Sequence, residues 1–324
     1  MYLLYMNREI SILQYNVHLF GKMAYLNWFG LDHDDEKRTE YIINAILDTN
    51  TDLICLEEVW DNNLAEKIII ECKSKYKYCY RPIEKNWDGC GSGLLFLSQY
   101  KIIQSKFFSF EKLTGVDYFV RKGFISSIIE VEDNKWIGIF ITHTQSPGSI
   151  NNNEVIRLNN IQQLTSEILN FKKENPNIPI IVSGDLNVMA EQGNKRTNEY
   201  ITMNKCFSMI NLKDCYRYFW PSTIHYPGYT WVWFNSMSRI FSPNSDILQR
   251  IDYIYASKNL NPILILTDPE SDISIFNNNY KMNNGEDLSD HYPLYCKFKL
   301  PKTPTTASSI ISTFSRAGSS SSLS

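Results

Sequence analysis

Leu288-Ser289-Asp290-His291-Tyr292-Pro293 places a carboxylate and an imidazole just before an alternating run, Tyr292 to Leu300, that reads as a strand. Imidazole titrates near neutral pH, so such a pair at a strand edge can take a proton from water. The same six residues also fit a plainer description, a polar turn leading into a strand. The rest of the chain decides between the two, because other polar clusters recur at the ends of predicted strands.

Arg250-Ile251-Asp252-Tyr253-Ile254-Tyr255 reads as a strand with a buried charge pair at its start. Ile178 to Val182 is an apolar strand that runs into Ser183-Gly184-Asp185-Leu186-Asn187. Asp185 and Asn187, two apart, point the same way if the backbone stays extended, and could hold a water and a phosphate together. Trp136 to Thr142 ends in Thr142-His143-Thr144-Gln145, where His143 is either a structural or a functional histidine. Asp52 to Val59 carries Glu57-Glu58 after a buried apolar run. Two carboxylates there are costly unless something positive meets them, and a hard divalent cation would. Ile10 to Val17 is apolar on both faces, as in a central strand, with Asn16 near its end. Asn16 is either an amide bonded to a loop or a ligand.

Helices fill the intervals. Asp34 to Thr49 has Asp34 or Asp35 as its cap and Tyr41, Ile42, Ala45 and Ile46 as its apolar stripe. Asn63 to Lys75 reads as a second helix. A third, about Asn153 to Lys173, has Val155, Leu158, Ile161, Leu164, Ile168 and Leu169 as its core face. A strand-rich second half follows, with Tyr229 to Trp233 as an aromatic strand and Asn261 to Leu266 as another. This order predicts an α+β fold, a four-layer α/β/β/α sandwich of two mixed sheets face to face with helices outside. Residues 1–300 form one domain in this reading. Residues 301–324, rich in Ser and Thr, are expected to be a disordered tail.

Of 324 residues, 43% are hydrophobic and 21% charged, which is globular composition. The net charge of −3 gives no basic footprint for nucleic acid, although a bound metal could meet a phosphate instead. The seven cysteines form no CxxC pair, so neither a zinc site nor a disulfide framework is expected. No signal peptide or membrane-spanning run is read, and a cytoplasmic or peripheral membrane location is expected. Lys122 beside Gly123 could approach an anion with Asp117 as its ion-pair partner, or the stretch is a solvated turn.

The ordered set Gln14-Tyr15-Asn16-Val17, Leu56-Glu57-Glu58-Val59, Thr142-His143-Thr144-Gln145, Ser183-Gly184-Asp185-Leu186-Asn187, Arg250-Ile251-Asp252-Tyr253 and Ser289-Asp290-His291-Tyr292-Pro293 resembles the endonuclease/exonuclease/phosphatase superfamily. Within it the chain most resembles the neutral sphingomyelinases, through His143-Thr144-Gln145, Asp117 with Lys122-Gly123, Tyr229-Thr230-Trp231 and the hexapeptide at 288. Glu57 is a departure, since that family usually has Gln before its metal-binding Glu.

The resemblance implies Mg²⁺, with Mn²⁺ or Co²⁺ as possible substitutes, held by Glu58 with Asn16 and Asp290. It implies His291 as the base, Asp252 orienting its ring, Asp185 and Asn187 positioning water and phosphate, and His143 donating to a phosphate oxygen. No covalent nucleophile is implied, so water would attack directly. The implied substrate is sphingomyelin, cleaved to ceramide and phosphocholine at a membrane surface. Lys122 and Asp117 are candidate substrate contacts, and Trp87, Phe276 and Tyr280 candidate membrane contacts. No protein partner is expected, and the chain is expected to be a monomer. A nuclease of the same fold, or an inactive binding protein, are the alternatives. An inositol-phosphate phosphatase would carry Trp-Cys-Asp-Arg near Asp252, which this chain lacks.

Overall fold

The computed structural model describes residues 9–21, 34–82, 91–147, 152–241, 244–267 and 281–300. Two six-stranded sheets dominate. The first runs, in spatial order, Asn261–Leu266, Leu294–Lys299, Glu9–Leu19, Leu53–Val59, Leu95–Ser98 and Tyr78–Tyr80. The second runs Leu212–Asp214, Asp252–Ser257, Ile180–Asp185, Lys135–His143, Gly123–Glu132 and Lys101–Ser109. Each sheet is mixed. In the first, Glu9–Leu19 pairs parallel to Leu53–Val59 and antiparallel to Leu294–Lys299. In the second, Lys135–His143 pairs parallel to Ile180–Asp185, which pairs antiparallel to Asp252–Ser257.

Alternation along the strands builds three apolar layers, and these make four layers of structure. Ile10, Ile12, Leu53, Cys55 and Phe96 meet Ile125, Ile139, Ile141, Ile181 and Ile254 between the sheets. The opposite face of the first sheet, with Leu13, Tyr15, Ile54 and Leu56, packs on helices Asp35–Asp48 and Asn62–Cys72. The opposite face of the second, with Phe140, Val182, Tyr253 and Tyr255, packs on Asn153–Glu174 and Asn198–Met209. The expected α+β sandwich is therefore the observed one. Among the described residues, no helix is long and apolar enough to cross a membrane.

Local readings needed correction in four places. Neither candidate caps the first helix. Asp34 lies in the left-handed region and makes no side-chain cap bond, while Asp35 accepts the Gly21 amide and pairs with buried Arg38. The second helix is capped instead by Asp61, which accepts from Asn63 and Leu64. The long helix keeps Ile161, Leu164 and Ile168 inside but leaves Val155 and Leu169 exposed. Its buried stripe runs through Arg157, Asn160, Ile161, Leu164, Ile168 and Phe171, and at 100° per residue Val155 and Leu169 fall off it. The aromatic strand at 229–233 shrinks to Trp231–Val232, because Asn235 then accepts the Met237 and Ser238 amides and starts the helix Ser236–Phe241. Finally, Arg250 and Asp252 do not pair. Arg250 bonds Asp214 and Glu191 among tyrosine rings, whereas Asp252 faces the other sheet.

The faces between the sheets carry the argument forward. Ile10 and Ile12 continue into Gln14 and Asn16, and Leu53 and Cys55 into Glu57. Ile139 and Ile141 continue into His143, Ile181 into Ser183 and Asp185, and Ile254 back to Asp252. Register places Asp185 opposite both His143 and Asp252, and Asn16 opposite Glu57. The apolar seam between the sheets thus turns polar at one end of the sandwich.

That end tolerates little extra volume. A Cβ on Gly184 would stand 1.9 Å from the Thr142 carbonyl oxygen, which belongs to backbone on the paired strand. Gly184→Ala is expected to destabilise the fold by about 3 kcal/mol, the upper range for overpacking. Thermal or urea unfolding measures this, and unchanged stability would contradict the packing described.

Candidate active site

His291 stands at the centre of the polar end. Its Nδ1 lies 2.8 Å from Asp252 Oδ2, and its Nε2 lies 3.7 Å from Asp185 Oδ2. The loop that carries it is tied down from several elements. Ser289 Oγ donates to the Asn16 carbonyl (2.7 Å), Asn235 Nδ2 to the Ser289 carbonyl (2.8 Å) and the Tyr292 amide to the Thr230 carbonyl (2.7 Å). Thr230 Oγ1 also accepts the Asp252 amide at 3.2 Å. Thr230 therefore links the segments holding both halves of the His291–Asp252 pair, which gives the Tyr229-Thr230-Trp231 motif a physical role.

Around this pair lies a crowd of carboxylates. Asn16 Nδ2 donates to Glu58 Oε1 and Asp185 Oδ2, each at 3.1 Å, and its Oδ1 accepts the His18 amide. In this orientation its amide group bridges two acids. Asp290 Oδ1 sits 3.4 Å from His18 Nδ1, as does Glu58 Oε2. Asn187, with φ of 51°, donates its amide N–H to Asp185 Oδ1 (2.8 Å) and its Nδ2 to the Thr144 carbonyl (3.3 Å). His143 Nε2 lies 3.6 Å from Asp185 and 3.8 Å from Glu58.

Lys122 and Asp117 form the expected ion pair, at 3.0 Å, but deep in the protein. Lys122 is 1% exposed and its Nζ stands 2.8 Å from His143 Nε2 and 2.6 Å from Ser146 Oγ. Asp117 accepts from Gln145 Nε2 and the Ser146 amide. Lys122 thus meets the same ring nitrogen of His143 that faces Asp185 and Glu58, and the ion pair fixes the ring from the side of the rim. Trp87, Phe276 and Tyr280 lie outside the described residues.

The site also contains residues that the sequence did not single out. Gln14 Nε2 donates both to Glu57 Oε2 (2.9 Å) and to Asp252 Oδ1 (2.6 Å). Glu57, fully buried, is thereby coupled through one amide to the His291 pair. The signal was present in the alternation, since Gln14 and Glu57 share the inward face with Ile12 and Cys55. Arg38, 1% exposed, bonds the carbonyls of Val17, His18 and Leu288, and so clamps the first strand to the His291 loop.

Burial and charge sort the titratable groups. Burial and the nearby Asp252 and Asp185 carboxylates push Glu57 well above its ordinary value, which favours its neutral form. Burial and Asp252 push Asp185 up to about 7. Burial also works against ionised Glu58, but His18 and Lys122 outweigh it and hold Glu58 well below the usual carboxylate range. Burial and Lys122 push His143 well below its ordinary value, which keeps its ring neutral. For His291 burial opposes the charged form, yet Asp252, Asp290 and Asp185 prevail and push it well up. Glu58, His143 and Asp185 each offer a ligand atom within 4.8 Å of one another. An ionised carboxylate beside oxygen and imidazole donors suits a divalent cation.

A dyad of imidazole and carboxylate beside an acid suited to a cation can perform hydrolysis. The Endonuclease/Exonuclease/phosphatase family matches residues 13–291. The chain belongs to this family. Its enzyme class is the one expected, a hydrolase of phosphoric diesters. It is 27% identical to sphingomyelinase C of Bacillus cereus, over 89% of this chain and 88% of the relative. It is also 27% identical to a phospholipase C of Staphylococcus aureus, over 88% and 86% of the two chains. A crystal structure of a double mutant of beta toxin from Staphylococcus aureus, with bound magnesium ions, superposes with a TM-score of 0.66. That likeness covers 89% of this chain and 99% of the other at 23% identity, and shows the shared fold.

The state of Glu57 is testable without substrate. Its pKa is raised on folding above the ordinary 4.5, so its stabilising contribution is full below about pH 4.5 and declines as pH rises toward the folded value. Glu57→Gln removes that dependence while keeping the side-chain shape. In chelator, the variant should gain on the wild type as pH rises above about 4.5, by up to ~1.4 kcal/mol per pH unit. A stability difference that stays constant as pH rises above 4.5 would contradict a raised Glu57 pKa.

Proposed function

We propose that this chain hydrolyses sphingomyelin to ceramide and phosphocholine, with Mg²⁺, by direct attack of water on phosphorus. The observation that carries the chemistry is the His291–Asp252 bond of 2.8 Å, with Nε2 turned toward the acidic rim. Similarity over most of the chain to a sphingomyelinase C and a phospholipase C supports the choice of a phospholipid diester.

Glu58, with Asp290 and the Asn16 amide beside it, would hold the cation. When bound, the ion supplies positive charge against the phosphoryl oxygens and weakens the pull of the carboxylates on the His291 proton. His291 Nε2 takes the proton of the attacking water. Asp252 accepts from Nδ1–H, fixes the ring and stabilises the imidazolium that forms. Asp185 and Asn187 orient water and phosphate, and His143, braced by Lys122, faces a phosphate oxygen. A bond forms between phosphorus and the water oxygen as the bond to the ceramide oxygen breaks, and the departing oxygen takes a proton from solvent. Mn²⁺ and Co²⁺ are substitutes for Mg²⁺ in this reading, and the location is a membrane surface.

The test is phosphocholine release from sphingomyelin in mixed micelles, with Mg²⁺ or with chelator. Release is expected to need the metal, and His291→Ala to lower it by roughly 10²- to 10⁴-fold, the usual contribution of a general base. No release from folded, Mg²⁺-loaded protein would overturn the lipid substrate and make plasmid DNA the next one to try.

A further inference from the structure

His18 has no part in the mechanism above, yet its ring stands in the acidic rim. The parallel pairing of the first two central strands matches Asn16 with Glu57 and then Leu19 with Val59. Val17 and His18 therefore oppose Glu58 alone, which is a β-bulge, a device that re-aims side chains. Strict alternation would send Glu58 outward with Ile54 and Leu56. Instead both His18 (φ 49°) and Glu58 (φ 58°) adopt left-handed backbone, uncommon for residues other than glycine.

The result is convergence from three segments. His18 Nδ1 is 3.4 Å from Glu58 Oε2 and 3.4 Å from Asp290 Oδ1. These gaps exceed the ~2.7–2.9 Å of a charge-assisted hydrogen bond. Adjacent ligands about 2.1 Å from an octahedral ion stand about 3.0 Å apart, so each pair need close by only a few tenths of an ångström to share one ion. The ring is fixed where it is. Asn16 accepts the His18 amide, Arg38 bonds its carbonyl, and Phe20 packs edge-on at 4.6 Å between centroids.

We propose that His18 Nδ1 is a metal ligand alongside Glu58 and Asp290, and that this nitrogen shifts the centre's preference from Mg²⁺ toward first-row transition ions such as Mn²⁺. The inference rests on the metal-centre reading above. Its chemical basis is that magnesium favours oxygen ligands, whereas imidazole binds transition ions more strongly.

The experiment uses metal-stripped full-length protein and Mn²⁺ as the probe. Electron paramagnetic resonance titration gives affinity, and electron spin-echo modulation reports directly coordinated nitrogen. Wild type is expected to bind Mn²⁺ and show nitrogen modulation. His18→Gln should lose the modulation and bind Mn²⁺ roughly tenfold or more weakly, at least what loss of a supporting contact costs, while Mg²⁺ affinity falls less. Because His143 and His291 also lie near the rim, a His143→Gln, His291→Gln double variant should keep the modulation. That arm decides the matter even if His18→Gln does not fold. Modulation retained in His18→Gln, or lost in the double variant, would overturn the assignment of His18. Wild type that binds no Mn²⁺ would overturn the metal-centre reading itself.

Discussion

The molecule is arranged around a concentration of buried negative charge. Glu57, Glu58, Asp185, Asp252 and Asp290 all line one end of the space between the sheets. Carboxylates this close cannot all be ionised without compensation. The structure compensates each differently. Glu57 is pushed toward its neutral form. Asp185 is pushed up to about 7, and Glu58 is held low by His18 and Lys122. The Gln14 amide, shared between Glu57 and Asp252, separates two acids that would otherwise repel across the seam. That arrangement leaves Asp252 committed to His291 and leaves Glu58 available to a cation.

The scaffold makes this possible because both sheets deliver their polar ends together. Parallel pairs bring Asn16 beside Glu57 and His143 beside Asp185, and an antiparallel neighbour adds Asp252. The apolar seam below, filled by isoleucines from both sheets, fixes their spacing. Buried cations lock the periphery. Arg38 clamps the first strand to the His291 loop, and Lys122 braces His143.

Much of this was legible in the sequence, and the failures have physical causes. Apolar runs ending in Asn16, Glu57-Glu58, His143 and Asp185, and one opening at Asp252, announced strands, and their common polar ends announced a site. The direction of Glu58 was not legible, because it depends on a bulge that alternation cannot foresee. His18 was passed over for the same reason. Arg250 looked like a partner for Asp252, but the chain enters the strand only at Asp252, so Arg250 turns toward Asp214 and Glu191. The long helix misled through its exposed Val155 and Leu169, which continue an apolar composition but not the buried stripe. Gln14 was legible in face but not in partner, since Asp252 lies far along the chain.

The central claim is that His291 and Asp252 direct a single displacement by water at phosphorus. Its most direct measurement is the stereochemical course of hydrolysis of a chiral phosphorothioate analogue of sphingomyelin in isotopically labelled water. One in-line displacement inverts the configuration at phosphorus, and inversion is the result the account predicts. Retention would require two displacements through a covalent phosphoryl-enzyme, and would contradict it.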